Sequence, residues 1–381
     1  MTWLQALAPI GVSVLLLAFV WHRLAVAPRW GRRWVPWVVA LVLAALLAAV
    51  LEQFDVWGGR WSPDTMRPVA WTGAAFLATC LYLLLVLVPA SLVAGVLWLV
   101  RWRHEHGAVG RRSLARVVSP LAAVVAVGIT AYGAFEAARP AVTQYEVSSP
   151  DLPAGLDGTR VALVTDIHAG AVRSAAFTRR VVDLVNAQRP DLVVIAGDLE
   201  DGTAARYAAE VAPLADLRAP LGVFATTGNH EMYRDTANWI RTFEGLGLTV
   251  LQNRSEVLTR DGAALTLVGV HDWSGTGPFA PDYDAALAGV DPASFVLMAA
   301  HQPRQALAVE GRGVDVQLSG HTHAGQLWPL RYLVPLQQPM VDGVARVGDT
   351  TVVTSRGAGA WGPAIRVLAP PEVPVVTLRR S

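Results

Sequence analysis

Lysine is absent from this sequence and cysteine is almost absent. Its 381 residues include one cysteine, Cys80, and all 31 basic residues are arginine, for which we have no functional explanation. A single cysteine excludes a disulfide within the chain, and because Cys80 lies in an N-terminal hydrophobic run, thiolate metal ligands are excluded from the rest. Charged residues are also scarce, at 16% of the chain against 53% hydrophobic residues. This balance predicts that part of the chain lies in lipid.

Four long uncharged runs occupy the first 135 residues, at 1–21, 34–51, 68–100 and 117–135. Each is near or above the roughly 18 residues that indicate a spanning helix, so we predict a four-helix transmembrane region over residues 1–143. Buried helices of a soluble protein are the alternative, but four such runs leave little polar surface. A cleaved signal peptide is the other interpretation of the first run, and the lack of a basic n-region argues against it. The third run is too short for two full spans.

The charges of the loops predict an orientation. Residues 22–33 and 101–116 are rich in arginine, whereas residues 52–67 are of mixed charge, so the first two loops should be cytoplasmic. We therefore expect a multi-pass protein of the cell membrane whose C-terminal domain is extracytoplasmic. Residues 151–381 hold 19 arginines against 24 acids, a formal charge of −5, which bound divalent cations would offset. The lack of a basic stripe there argues against nucleic acid as a partner.

The C-terminal part has the pattern of an α/β layered domain, in which short β-branched runs alternate with amphipathic stretches. We predict a linker over residues 144–158 and a catalytic domain over residues 159–381. The predicted strands are at 161–165, 192–196, 223–226, 265–270, 295–299 and 314–318, with later strands at 351–354 and 373–378 that suggest a second sheet. The predicted helices are at 175–186, 204–217 and 236–246.

Ligand-type side chains follow five of these predicted strands at the point where each strand ends. Read in order, the motifs are Asp166-Ile-His168, Gly197-Asp198-Leu-Glu-Asp201, Gly228-Asn229-His230-Glu231, His301, and Gly320-His321-Thr-His323. In open α/β sheets, sites form at the carboxyl edge of the strands, so these loops are expected to converge although they span about 160 residues.

This set resembles the calcineurin-like metallophosphoesterase family at all five of its signature blocks, over roughly residues 158–381. The residues that flank the blocks resemble those of a membrane-associated bacterial branch of that family. The resemblance implies a two-sheet αββα sandwich and a two-metal site. It implies that Asp166, His168 and His323 hold one metal, that Asn229, His301 and His321 hold the other, and that Asp198 bridges the two.

The resemblance also implies the roles of the neighbouring residues and the chemistry. His230 is expected to be a general acid or an electrostatic partner of the phosphoryl oxygen, with Asp201 and Glu231 orienting it or the ligands. Imidazole, carboxylate and amide ligands are compatible with two divalent ions of Mn, Fe or Zn. The expected reaction is hydrolysis of a phosphomonoester or phosphodiester by a hydroxide that bridges the two metals.

Three further residues are candidates for contact with the substrate. His271 follows another predicted strand, and Arg356 and Arg366 flank a glycine-rich stretch that could form a pocket wall or be a plain surface loop. A phosphorylated small molecule or an envelope or lipid-linked phosphate ester is the expected substrate, with the membrane as a second partner. The alternative is a membrane sensor or transporter in which a phosphoesterase-like domain only binds its ligand. A nuclease is disfavoured because the domain is acidic.

Overall fold

A computed structural model of the protein describes residues 14–53, 61–100 and 107–381. The chain divides into two compact units. One comprises Met1–Val56 and Val69–Gly133, and the other comprises Trp57–Pro68 and Ala134–Ser381. The described residues of the first unit are helical, and every strand in the described part of the chain lies in the second.

Helices of apolar sequence make up the first unit. They are α1 (Val14–Val26), α2 (Val35–Gln53), α3 (Pro63–Val100) and α4 (Gly107–Ala137). Two segments, Pro63–Val96 and Arg112–Ala137, are long and apolar enough to cross a membrane, whereas the apolar parts of α1 and α2 are shorter. Within the described residues, two of the four predicted spans are therefore supported, and residues 1–13 of the first run lie outside the described residues. The third run forms one helix, as its length predicts.

The second unit contains fourteen strands and five α-helices within the described residues. The strands are β1 (Ala141–Ser149), β2 (Arg160–Val164), β3 (Ala169–Gly170), β4 (Leu192–Ala196), β5 (Glu200–Asp201), β6 (Val223–Thr226), β7 (Thr249–Val250), β8 (Arg254–Arg260), β9 (Ala263–Gly269), β10 (Phe295–Ala299), β11 (Val316–Ser319), β12 (Gly343–Val347), β13 (Thr350–Thr354) and β14 (Glu372–Arg380). The helices are α5 (Ala175–Ala187), α6 (Ala204–Val211), α7 (Asn229–Tyr233), α8 (Thr236–Gly245) and α9 (Tyr283–Leu287).

Two six-stranded sheets form the centre of this unit. Their strand orders are β1-β14-β2-β4-β6-β7 and β12-β13-β11-β10-β9-β8, and β3 pairs with β5 beside them. Apolar side chains of β2 and β4 pack against those of β9 and β10 to form the core between the sheets. Residues of α5, α6 and α8 cover the other face of the first sheet, and α9 covers the second. The predicted second sheet is therefore present, although β14 belongs to the first sheet.

The segment predicted as a linker belongs in part to the first sheet. Residues 144–149 lie in β1, which pairs in parallel with β14 from Ala141 opposite Glu372 to Ser149 opposite Arg380. Beyond the strand, Leu152 and Leu156 are buried in the core between the sheets. The prediction was wrong because it weighted the polar and turn-forming residues, whereas pairing with β14 satisfies the backbone hydrogen bonds of this segment.

The parallel strands explain where polar side chains meet. β2, β4 and β6 are parallel neighbours in one sheet, and β10 and β11 are parallel neighbours in the other. His301, just after β10, lies with Nδ1 2.7 Å from the carbonyl oxygen of Ala196 at the end of β4. The carboxyl ends of strands from both sheets therefore share one edge.

Candidate metal centre

Three of the predicted ligands form a first group at this edge. His323 Nε2 lies 3.1 Å from Asp166 Oδ1, and His168 Nε2 lies 3.1 Å from His323 Nε2. His168 Nε2 is also 3.8 Å from Asp166 Oδ1. All three side chains are almost fully buried. Two imidazole nitrogens and a carboxylate oxygen thus point at one small volume.

Three more ligands form a second group around an amide oxygen. Asn229 Oδ1 lies 3.1 Å from His301 Nε2 and 2.8 Å from His321 Nδ1. These donors come from the loops after β6, β10 and β11, so the group joins the two sheets.

Asp198 lies between the two groups. Its Oδ2 is 3.2 Å from His301 Nε2 in the second group and 3.8 Å from His168 Nε2 in the first. The structure therefore brings all seven predicted ligands together. Side-chain atoms lie within 4.8 Å of one another in three sets, which are Asp166-His168-His323, His168-Asp198-His230 and Asp198-His301-His321, so His230 also lies within reach of the group. Oxygen and nitrogen donors at this spacing, without sulfur, fit divalent cations such as Mn, Fe or Zn.

The ligand loops have unusual backbone conformations. Five of the seven ligands have positive φ angles between 49° and 70°, namely Asp166, His168, Asp198, His321 and His323. This left-handed region costs energy for residues with a side chain, so it persists only where surrounding structure imposes it, and it clusters at functional sites.

Glycine is required where two of these loops approach closely. Gly197 has φ +81°, and a Cβ there would lie 2.3 Å from the amide nitrogen of Gly228. A Cβ at Gly320 would lie 2.1 Å from Asp166 Oδ2. Any larger residue at either position would push a ligand loop out of place.

Asp201 supports two histidines at once. Its Oδ1 accepts from His168 Nδ1 at 2.9 Å and lies 2.5 Å from His230 Nδ1. Donation from Nδ1 fixes the tautomer of His168 and leaves the Nε2 lone pair for a cation. His301 is fixed in the same way, because its Nδ1 donates to the carbonyl of Ala196.

Glu231 ties two ligand loops together through the backbone. It is fully buried, and its carboxylate accepts from the amide groups of Asp198, Leu199 and Gly228 at 3.0, 2.8 and 2.6 Å. The loops that carry Asp198 and Asn229 are therefore held in one arrangement, consistent with the expected orienting role of Glu231 for the ligands.

The electrostatics of the group favour a cation. Burial opposes charge at Asp198, but neighbouring histidines, His301 above all, outweigh it and hold the pKa of that carboxyl far below its usual range. At His168 burial acts to lower the pKa, but nearby carboxylates, with Asp201 the strongest, raise the pKa to about 10. Burial lowers the pKa of His321 and of His323 to about 4, so both are neutral and able to bind metal near pH 7.

Arg366 differs from its predicted role as a phosphate contact. It is fully buried, and its guanidinium donates to five backbone carbonyls. An arginine has five N–H donors, so none is left for a substrate phosphate. Two of these bonds reach the carbonyls of His323 and Gly359, and Nη2 lies 2.9 Å from His323 Nδ1. Arg366 therefore supports the first ligand group.

The other two predicted substrate contacts are also engaged elsewhere. Arg356 pairs with the buried Glu372 at 2.6 Å and donates to the carbonyl of Pro370. His271 is 2% exposed, with Nδ1 3.0 Å from Thr227 Oγ1, and burial lowers its pKa to about 4. Both stabilise loops near the site and offer little surface to a ligand.

Tyr233 lies beside the site and was not among the predicted site residues. Its hydroxyl accepts from Asn229 Nδ2 at 3.0 Å, and its ring centre lies 5.1 Å from that of His230. Tyr233 and Asn229 are four positions apart in α7, which is the spacing that brings side chains together on one face of a helix. That spacing was the available signal.

Comparison with known proteins agrees with this geometry. Residues 159–325 match the family described as calcineurin-like phosphoesterase. The chain is 32% identical over 298 residues to a transmembrane protein with metallophosphoesterase domain from Danio rerio, an alignment that covers 74% of this chain and 67% of that protein. It is 35% identical over 223 residues to an uncharacterized metallophosphoesterase from Helicobacter pylori strain J99, covering 58% of this chain and 59% of that one.

Among solved structures, a 5'-nucleotidase precursor from Thermus thermophilus is 17% identical, with a TM-score of 0.36 and coverage of 57% of this chain and 54% of that one. The matches in sequence, unlike this one, are strong enough to assign the family. The chain belongs to the calcineurin-like metallophosphoesterase family.

Proposed function

We propose that this protein is a membrane-anchored, metal-dependent hydrolase of phosphomonoesters or phosphodiesters. The observation that carries the proposal is the meeting of seven oxygen and nitrogen ligands from five separate loops, with Asp198 between the two groups. Family membership gives the reaction class, and the relatives compared above are themselves uncharacterized or named only by their domain.

Two divalent cations are the proposed cofactors. Asp166, His168 and His323 would hold one and Asn229, His301 and His321 the other, with Asp198 shared between them. When bound, such ions supply positive charge against the phosphoryl oxygens and activate water for attack near neutral pH.

His230 is the proposed general acid for the leaving group. It keeps 19% of its side chain exposed, whereas His168 and His301 are at 0% and His323 is at 2%. Burial lowers the pKa of His230, but Asp198 and Asp201 together outweigh it and raise that pKa above its usual value. An accessible imidazole with a raised pKa is suited to donate a proton to a departing oxygen.

An extracytoplasmic catalytic domain anchored by a multi-pass helical region remains our proposal for localisation. Two helices of membrane-spanning length support the anchor. Within the second unit, Arg67 pairs with Glu210 at 2.6 Å and donates to the carbonyl of Gly170 at 3.0 Å. This supports placing residues 61–67 and the catalytic domain on the same side, as the positive-inside rule predicts.

The test is hydrolysis by the purified full chain with added Mn. We expect cleavage of p-nitrophenyl phosphate or bis-p-nitrophenyl phosphate, together with a metal content near two ions per chain. Asp198→Asn is expected to lose metal and activity together, because it removes the charge shared by both groups. Asp183→Asn, at an exposed position on α5, is the matched control and should keep both. A fully metal-loaded protein that cleaves neither ester would contradict the proposal.

The same experiment discriminates the alternative of a sensor or transporter domain. Such a protein would bind phosphate or a phosphorylated ligand with turnover absent, even with both metals present. All seven ligand positions carry metal-binding side chains and His230 remains accessible, which favours catalysis.

A further inference from the structure

A set of exposed apolar side chains lies beside the metal centre. They come from the loop after His323 and from the loop between β13 and β14, and we call them the apolar rim: Trp328, Tyr332, Leu333, Leu336, Trp361 and Leu368. Their exposed fractions run from 43% to 79%. A contiguous exposed apolar surface on a folded domain usually marks a binding site.

Hydrogen bonds join the two loops of the rim to each other. Gln326 donates from Nε2 to the carbonyl of Trp361 at 2.9 Å and accepts from the amide of Trp361 at 3.2 Å. The amide of Trp328 donates to the carbonyl of Val367 at 3.1 Å. Leu333 lies between two short 3₁₀ turns, Leu330–Tyr332 and Val334–Leu336, and Leu336 ends the second. The two loops of the rim therefore lie side by side.

The same loops are bonded directly to the metal ligands. The amide of Gly359, two residues before Trp361, donates to the carbonyl of Asp166 at 2.7 Å. The amide of Gln326 donates to the carbonyl of His323 at 2.9 Å. The apolar surface thus begins within a few residues of the first ligand group, and a molecule held by its phosphate at the metals would have this surface next to it.

The charges around the rim favour an uncharged occupant. Arg331 lies 3.2 Å from Asp342, and Arg356 lies 3.6 Å from Asp342 and 2.6 Å from Glu372. Because these arginines are already paired with acidic side chains, they offer little positive charge to an acidic peptide. Hydrocarbon gains by burying the rim and needs no polar partner.

We propose that the apolar rim binds the hydrocarbon chain of an amphiphilic phosphate ester whose phosphate lies at the metal centre. This inference rests on the proposed function and narrows its substrate class from phosphate esters in general to those with an alkyl or acyl chain. The helices of membrane-spanning length supply the setting in which such substrates occur.

The first experiment measures hydrolysis against chain length. The full chain, with Mn and a fixed detergent concentration, is given p-nitrophenyl phosphodiesters with methyl, butyl and octyl groups. Burial of one methylene corresponds to at most about fourfold in kcat/KM, so we expect a rise of about tenfold or more from methyl to octyl. Leu333→Ser with Leu336→Ser should flatten that rise, whereas Val257→Ser, a similarly exposed apolar position on β8, should keep it.

A second measurement separates this inference from the proposed function. Calorimetric titration of the Mn-loaded protein with methyl phosphate and octyl phosphate needs no turnover. Octyl phosphate that binds more tightly than methyl phosphate, with this difference lost in the double variant, supports hydrocarbon binding by the rim even if no ester is cleaved. Failure to cleave any ester would overturn only the proposed function. Cleavage with equal kcat/KM for all chain lengths contradicts hydrocarbon binding by the rim. A rise in kcat/KM with chain length that the double variant retains contradicts it as well. A wild-type dimer that the double variant converts to a monomer would assign the rim to a second copy.

Discussion

Replacing Asp201 by asparagine should weaken the metal centre and shift its pH dependence at the same time. Asparagine keeps the shape and an acceptor oxygen, but it removes the charge that faces both His168 Nδ1 at 2.9 Å and His230 Nδ1 at 2.5 Å. The metal effect acts through His168, and the pH effect acts through His230. Measuring both tests the two contacts separately.

The size of the metal effect follows from the hydrogen bond to His168. A bond to a charged group contributes about 1.5–3 kcal/mol and a neutral one about 0.5–1.5 kcal/mol, so this contact loses about 1–1.5 kcal/mol. Because 32% of the Asp201 side chain is exposed, solvent screening reduces this loss to about 1 kcal/mol. That corresponds to about fivefold in metal affinity.

The pH effect has a defined sign. Asp201 is one of the carboxylates that raise the pKa of His230 against the lowering effect of burial, so its neutralisation lowers that pKa. A general acid must be protonated, and the basic limb of the kcat profile should therefore move to lower pH.

The assay is kcat against pH at saturating Mn, with metal affinity from titration of the metal-free protein. Asp183→Asn, at an exposed position, is the control for loss of one aspartate charge. If Asp201→Asn matched that control in metal affinity and in the position of the basic limb, Asp201 would have neither assigned role.

Three further predictions concern other contacts. His230→Ala should keep both metals and lose about 10²- to 10⁴-fold in kcat, and release of a metal would show that His230 is a ligand. The rise in melting temperature that Mn gives over EDTA should grow between pH 6.5 and 10. The pKa of His168 is raised to about 10 in the metal-free protein, so the proton that His168 binds there stabilises that form in this window. This stabilisation is lost as pH rises. Metal binding, in contrast, needs the neutral imidazole. A constant difference across that range would refute this linkage. Arg67→Ala should cost up to about 3–5 kcal/mol in unfolding free energy because it leaves Glu210 largely buried without its partner, and Arg67→Met with Glu210→Met should recover part of the melting temperature.

The family and the set of predicted ligands could be read from the sequence alone. Buried β-branched runs are followed closely by Asp166, Asp198, Asn229, His301 and His321. The carboxyl ends of parallel strands meet at a sheet edge for geometric reasons that hold in any α/β fold. The positions of the central strands followed from their periodicity, which depends on neighbouring residues alone.

Which polar residues near the site are free to contact a ligand could not be read from the sequence. The positions of Arg366 and Arg356 beside a glycine-rich stretch predicted contacts with phosphate. In the structure, Arg366 donates to five carbonyls and Arg356 pairs with Glu372. The strand formed by residues 141–149 and the position of β14 beside it likewise depend on pairing between segments more than 200 residues apart. Whether a donor is free depends on the partners that folding brings to it, and local sequence does not contain those partners.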